Sequence, residues 1–429
     1  MAEGLSYSMS GFLEAVSKVS KFSLRWDDDF YDRLSHRYTV VTCALFTVIV
    51  STKQYVGDPI SCWCPATFTE AMIEYTNHVC WISNTYFIPM HEVPAKHNVP
   101  RDVIIGYYQW VPLMLLLQSL MFYLPSVVWA INNTRPGLDI NRMVLLVSGM
   151  DSINPDIRDK SIKFICRHFD LALAYQREYR QSRFRQCLQC LSRNICFPIG
   201  RIYGNYLTSL YIFVKLLFIA NAFGQIWIMN KFLTSDRDGY YFYGIEVVLA
   251  VFRNNQPDTK IFPRITLCDF KIRQMQNVHD VTVQCALPVN LFNEKIYTYL
   301  WFHISLVLIL SVYGLFTLLW QLFSVNCQSY ITKYLKVLYK VRQQGGVIEV
   351  KSVRNFVDSY LRPDGVFALR VISKNTNDIV TTEIIGALYD YYCKSNYQST
   401  NKPPYIKQLN GEDRELRHDN YKRSAIRTV

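Results

Sequence analysis

The sequence predicts a mainly α-helical membrane protein. We expect a four-transmembrane-helix bundle with a small disulfide-linked α/β extracellular layer and a helical cytosolic domain. The chain of 429 residues is 50% hydrophobic and only 19% charged. Its two longest apolar windows, 107–131 and 296–322, contain no charged residue. A disordered or fibrous chain is excluded, because apolar content is high and Gly (17) and Pro (16) are few.

Four windows are long enough to cross a bilayer, for which a helix needs about 20 apolar residues. The third window has one charged residue, Lys215, which we expect to snorkel or to face a water-filled space. The first is rich in Thr and Ser, which suits a helix facing protein or water. The predicted regions are an N-terminal cytosolic helix and linker (1–35), span 1 (36–55), extracellular loop 1 (56–106), span 2 (107–131), a cytosolic loop (132–205), span 3 (206–229), extracellular loop 2 (230–295), span 4 (296–323), a cytosolic helical domain (324–395) and a flexible tail (396–429).

Charge distribution predicts the orientation. No secretory signal precedes span 1, so we expect both termini in the cytosol. Residues 132–205 hold twelve basic and six acidic side chains, and residues 325–429 hold seventeen basic and ten acidic side chains. Residues 53–106 hold only three basic and five acidic side chains. The excess of Lys and Arg on one side follows the positive-inside rule and places the basic regions against anionic inner-leaflet lipid.

The cysteines divide by compartment once sides are assigned. Five lie in the outside loops: Cys62, Cys64, Cys80, Cys268 and Cys285. Disulfides persist in the oxidising exterior, and four cysteines permit three pairings that spacing alone does not decide. Five is an odd number, and Cys62 and Cys64 compete to be the one left over. The cytosolic cysteines are expected to be reduced, and those close to the membrane, Cys327 among them, are candidates for palmitoylation.

Alternation and capping signals predict structure inside the outside loops. Thr266, Cys268, Phe270 and Ile272 share one face of an extended run, as do Val281, Val283, Cys285 and Leu287. The stretch 67–70 has a capping-box pattern that starts a helix towards Cys80.

Several motifs in chain order resemble the innexins, the invertebrate gap-junction channel family. Loop 1 carries Gly-Asp-Pro-Ile at 57–60, Cys62-Trp63 and Cys80-Trp81, and loop 2 carries Phe-Pro-Arg at 262–264 and Cys268-Asp-Phe. Residues 361–370, which include Asp-Gly-Val-Phe at 364–367, resemble the family's cytosolic domain, and the likeness covers roughly residues 25 to 395. Span 2 opens with the stretch that resembles the family signature: Tyr107, Tyr108, Gln109, Trp110, Val111 and Pro112. Its aromatic residues also suit the membrane interface.

The resemblance implies two disulfides between the loops, Cys62 with Cys285 and Cys80 with Cys268. Cys64 departs from the family's two cysteines per loop and would be a free extracellular thiol. The resemblance also implies a cyclic homo-oligomer, an eight-subunit hemichannel that docks with a hemichannel of the apposed cell, with other innexins as further partners. The expected location is the plasma membrane at cell–cell junctions.

The N-terminal 21 residues have helical periodicity, with an apolar stripe through Leu5, Phe12 and Val19. Such a helix could lie on the inner membrane surface, or fold into the pore mouth as the resemblance implies. The predicted pore lining combines polar positions of this helix with two of span 1: Glu3, Ser6, Ser10, Glu14, Ser17, Thr39 and Thr42.

The sequence gives little support to enzymatic or metal chemistry. The cysteines at 187, 190 and 196 fit no standard zinc-finger spacing, and the eight histidines form no paired ligand motif. His303, in span 4, is expected to be a packed or hydrogen-bonded residue. We therefore predict no catalytic residue, cofactor, metal or nucleic-acid partner. The predicted function is a large-pore channel for ions and small metabolites between adjacent cells. Alternatives are a hemichannel in a single membrane, and a non-conducting adhesion, scaffold or modifying subunit.

Overall fold

The computed structural model describes residues 27–88, 104–134, 137–148, 155–178, 205–234, 243–252, 261–341 and 350–400. The chain divides into a first unit, residues 1–132 with 210–319, and a second unit, residues 133–209 with 320–429. The predicted pore residues Glu3, Ser6, Ser10, Glu14 and Ser17 lie outside the described residues.

Four helices are long and apolar enough to cross a membrane. Span 1 is α1 (Phe30–Tyr55), which includes a π-helical turn at Leu34–Tyr38. Span 2 is α3 (Val111–Asn132) and span 3 is α6 (Tyr206–Thr234). Span 4 is α8 (Pro288–Leu322), which begins eight residues before the predicted 296. The proline at its start lacks only an N–H that the first turn leaves unbonded in any case.

A five-stranded antiparallel sheet gathers segments from both predicted outside loops, in the order β1-β5-β4-β2-β3. Its long central hairpin pairs β4 with β5 through ten residues of each, from Ile265 opposite Ala286 to Gln274 opposite Asn277. The strands are β1 (Ser61–Trp63), β2 (Thr85–Tyr86), β3 (Ile104–Ile105), β4 (Ile265–Gln274) and β5 (Asn277–Ala286).

The hairpin turns at Met275 and Gln276, whose φ angles are +45° and +71°. Two consecutive positive φ values match the twist of the flanking strands in a two-residue turn, a role usually filled by Asn-Gly. Nothing in the sequence predicts this turn, since neither Met nor Gln commonly adopts a left-handed conformation.

Two helices accompany the sheet. Helix α2 (Glu70–Ile82) has Thr69 as its N-cap, but no side-chain hydrogen bond caps it, so the predicted capping box does not form. Helix α7 (Tyr243–Phe252) lies in the second loop, where the sequence predicted only strands. We refer to α2, the sheet and the two disulfides described below as the disulfide layer.

The second unit combines the segment after span 2 with the chain after span 4, which the sequence predicts as separate regions. Arg158 donates two hydrogen bonds to Glu383, at 2.9 and 2.7 Å. The Tyr360 hydroxyl donates to Asp170 at 2.8 Å. Its helices are α4 (Ile140–Ser148), α5 (Pro155–Glu178), α9 (Ser324–Val341), α10 (Val350–Asn355), α11 (Arg362–Asn375) and α12 (Asp378–Thr400), with a π-helical turn at Phe356–Leu361.

Candidate channel-forming regions

Two disulfides join the first loop to the second. Cys62 bonds Cys285, and Cys80 bonds Cys268. Strand pairing sets the first bond, because Cys62 lies directly opposite Cys285 in the β1–β5 register. The second connects helix α2 to strand β4. The four sulfurs form the pairs that the resemblance implied.

Cys64 is the cysteine left over in the disulfide layer. It is not disulfide-bonded, is partly exposed, and its sulfur lies 3.8 Å from the carbonyl oxygen of Cys62. The strand register explains why Cys62 rather than Cys64 forms the bridge, since Cys64 lies just beyond the end of β1.

The signature before span 2 connects that span to the disulfide layer. Gln109 donates to the carbonyl of Trp81 at 2.5 Å, and Tyr107 donates to the carbonyl of Ile261 at 2.7 Å. Gln54, near the end of span 1, donates to the Tyr108 carbonyl at 2.7 Å. The signature therefore holds three separate stretches of chain together.

The aromatic residues of the signature differ in exposure. Tyr108 is fully buried, packed 4.8 Å from the Trp81 ring between centroids, whereas Trp110 is 58% exposed. Trp110 is exposed as an interfacial aromatic would be, and Tyr107 is partly exposed. The expectation for Tyr108 was wrong, because its ring lies in the core of the disulfide layer.

A buried ionic network lies where the start of span 1, with the residues just before it, meets span 3. Lys215 has no solvent exposure, and its ammonium lies 2.7 Å from Asp32 and 3.6 Å from Asp29. Tyr211, one helical turn before Lys215, donates to Asp32 at 2.6 Å. Lys215 therefore neither snorkels nor faces water, because two carboxylates compensate its burial.

Further residues extend this network towards span 2. The Trp129 indole donates to Asp27 at 2.9 Å, and His36 lies 2.5 Å from Asp28. Burial raises the pKa of the Asp28 carboxyl, and the hydrogen bond from His36 opposes the shift. Residues 27–36 are thus fixed to spans 2 and 3 by paired polar groups. This arrangement positions the chain that leads from the N-terminal residues into span 1.

The two span 1 candidates for pore lining differ. Thr39 is fully buried, donates to the Leu34 carbonyl at 3.0 Å and lies 2.9 Å from His303 of span 4. A side chain buried within its own subunit does not line a water path, so the expectation for Thr39 is not retained. His303 is hydrogen-bonded, as expected. Thr42 is partly exposed and bonds its own helix, donating to the Tyr38 carbonyl at 2.8 Å.

The described cysteines of the second unit differ in accessibility. Cys327 is buried with its thiol 3.3 Å from the Gln321 carbonyl, and burial raises its pKa. A buried thiol with a raised pKa is a poor nucleophile, which argues against the expectation that Cys327 is palmitoylated. Cys166 is also buried, which raises its pKa to about 12, whereas Cys393 is exposed. The cysteines at 187, 190 and 196 lie outside the described residues.

These features define a class: a membrane protein with four candidate spans whose two long loops are joined by disulfides. The innexin family model matches residues 28–392. The chain is 36% identical over 385 residues to innexin unc-9 of Caenorhabditis elegans, which covers 88% of this chain and 95% of that protein. It is 34% identical over 364 residues to innexin-3 of the same organism, and the match covers 84% of this chain and 83% of that protein. It is 30% identical over 415 residues to innexin-19 of Caenorhabditis briggsae, and the match covers 92% of this chain and 93% of that protein.

The chain therefore belongs to the innexin family, whose members are subunits of gap-junction channels.

Proposed function

We propose that this chain forms a large-pore channel that passes ions and small metabolites between adjacent cells. The observation that carries the proposal is the disulfide layer. Two bridges and one shared sheet hold both loops in a single arrangement. A surface that docks with a copy of itself benefits from such rigidity, because less conformational freedom is lost on association.

Exposed apolar groups on the disulfide layer support docking. Trp63 is 77% exposed, Ile82 is 73% exposed and Met275, at the hairpin turn, is 92% exposed. A contiguous patch of exposed apolar side chains marks an interaction surface, and we propose that these three residues belong to one such patch. Residues 56–106 and 230–295 contain no Asn-x-Ser/Thr sequence, so no N-linked glycan would cover this surface.

The channel itself requires several copies of the chain, since one four-helix subunit encloses no wide water path. Closed cyclic symmetry is the usual arrangement of identical subunits. By family resemblance we propose eight subunits in each hemichannel, and mixed assembly with other innexins as a further state. Both termini would lie in the cytosol, with the disulfide layer outside the plasma membrane. The pore lining would comprise Thr42 of span 1 together with Glu3, Ser6, Ser10, Glu14 and Ser17.

Dual recording from paired cells that express only this chain tests the proposal. We expect junctional current for the wild type and for Cys64→Ser, which breaks no bridge. We expect no junctional current for Cys80→Ser, which breaks one bridge and leaves Cys268 unpaired. Surface biotinylation of each variant separates loss of conduction from loss of trafficking.

The same recordings discriminate the alternatives. Current in single cells but never across pairs would identify a hemichannel of one membrane. No current in either setting, from protein that reaches the surface, would favour an adhesion, scaffold or modifying role. Imaging of the purified particle then gives the subunit number directly.

A further inference from the structure

The start of span 3 is capped by a residue from a distant part of the chain. The Asp364 carboxylate accepts hydrogen bonds from the backbone N–H groups of Leu207 at 3.2 Å and Thr208 at 3.0 Å. The Thr208 hydroxyl donates to the same carboxylate at 2.9 Å. Asp364 is fully buried and lies 156 residues from Thr208 in the sequence.

This contact replaces the usual local cap of a helix. The helix begins at Tyr206, so Leu207 and Thr208 occupy the second and third positions, whose N–H groups an N-cap side chain normally satisfies. Asn205 is the local residue with suitable chemistry. Within the part of the chain that the structure describes, its buried side-chain oxygen has no hydrogen-bond partner. Asp364 therefore occupies the place that Asn205 would otherwise fill.

The backbone before Asp364 is arranged to present it. Arg362 has a φ of +56°, in the left-handed region that residues other than glycine rarely adopt. Such strain persists only where the surrounding structure enforces it. Asp364 follows two residues later, in the first turn of α11. At Gly365 an added Cβ would lie 3.3 Å from the Leu361 side chain, so this turn is also closely packed.

We propose that Asp364 is a positioning residue through which helix α11 fixes the start of span 3. Residues 206–209 belong to the second unit, and the same continuous helix carries Tyr211 and Lys215, which bond Asp32 in the first turn of span 1. A change in α11 therefore acts on span 3 and, through it, on the approach to the predicted pore helix. This inference rests on the proposed channel function.

A local-cap rescue separates positioning from simple helix stabilisation. Asp364→Ala removes all three hydrogen bonds. Asn205→Asp adds a carboxylate at the helix's own N-cap, which restores capping without restoring the link to α11. We compare Asp364→Ala, the double variant Asn205→Asp/Asp364→Ala, and Asn205→Asp alone as the matched control. The milder variant Asp364→Asn retains the volume and one acceptor oxygen, and should show the same pattern with a smaller amplitude.

Two readouts are taken from the full-length protein. We expect current per surface subunit to fall at least about fivefold in Asp364→Ala and to stay low in the double variant, as typical coupling energies imply. Hydrogen exchange should become faster at Leu207, at Thr208 and across residues 362–369 in Asp364→Ala. The double variant should slow exchange again at 207 and 208 while residues 362–369 remain fast.

The opposite results overturn the proposal. Wild-type current from the double variant would show that Asp364 only caps the helix. Wild-type current from Asp364→Ala at equal surface level would show that the contact does not affect conduction. A wild-type protein without current overturns the proposed function instead. In that case hydrogen exchange still decides the link to α11, and slow exchange of residues 362–369 in the double variant would refute it.

Discussion

The Lys215 ammonium lies 2.7 Å from the Asp32 carboxylate, and both side chains are shielded from solvent. Each residue neutralises the charge of the other, because an unpaired charge in an apolar surrounding has a large desolvation cost. The contact connects span 3 to the first turn of span 1. It explains how span 3 tolerates a lysine among apolar residues.

Removing only the lysine should destabilise the protein strongly. Lys215→Met leaves Asp32 and Asp29 buried without their cation, which typically costs about 3–5 kcal/mol. We expect a lower thermal transition of the detergent-purified protein, with partial recovery in Asp32→Asn/Lys215→Met, where the buried charge is removed as well. Lys231→Met, which changes an exposed lysine of the same helix, is the control. Equal transitions for Lys215→Met and Lys231→Met would contradict the ionic network.

Gln109 of the signature should contribute more to the thermal stability of the protein than Trp110 does. Gln109→Leu removes the hydrogen bond to the Trp81 carbonyl. Leaving such a group without its partner costs about 1–3 kcal/mol. Trp110→Leu changes an exposed ring and should lower the thermal transition much less. If the two variants were equally stable, the contact between span 2 and the disulfide layer would contribute nothing measurable.

Cysteine reactivity should follow burial. In native protein at pH 8 we expect maleimide to label Cys393 and to spare Cys166, because burial raises the pKa of the Cys166 thiol to about 12 and leaves almost no thiolate. Cys327 should also be spared, since burial raises its pKa as well. Peptide mass spectrometry reads each site separately, and urea-unfolded protein is the control in which all three should react. Rapid native labelling of Cys166 would show that its helix opens readily.

The titration of Asp364 should make stability depend on pH in an unusual direction. Burial raises the pKa of this carboxyl above its ordinary 3.8, and the hydrogen bonds from Thr208 and Leu207 oppose the shift. The folded chain therefore retains this proton to a higher pH than the unfolded chain does. As pH falls from neutrality through the raised folded pKa towards 3.8, Asp364 should add stability.

The comparison with Asp364→Ala isolates this effect, because the other titrating groups are common to both proteins. We expect the difference in thermal transition between the wild type and Asp364→Ala to widen as pH falls. A difference that narrowed would mean that the ionised carboxylate, not the neutral one, is favoured in the folded protein.

The sequence was most informative where the signal is local. Charge-free windows predicted the long helices, and the alternation around Cys268 and Cys285 lies where the structure has strands. The turn at Met275 and helix α7 were missed, because neither has a distinctive residue pattern.

Long-range pairings were beyond sequence reasoning. Lys215 is a lone charge in the hydropathy profile, and nothing in the sequence connects it with Asp32, its partner 183 residues away. Asp364 belongs to a recognised motif, but nothing local indicates that it caps a helix beginning at Tyr206. Thr39 was assigned to a water path because hydroxyls suit one, and the choice between water and His303 depends on helix rotation.

The long sequence separation of the paired cysteines has a consequence for how the protein is made. Cys62 and Cys285 are separated by 223 residues, and Cys80 and Cys268 by 188. In the proposed orientation, neither bridge can close until both intervening spans have been synthesised and the partner cysteine has entered the oxidising lumen. Cys62 and Cys80 therefore reach their native partners only late in synthesis. Native pairing would therefore form only in subunits whose intervening segments have crossed the membrane in the proposed orientation.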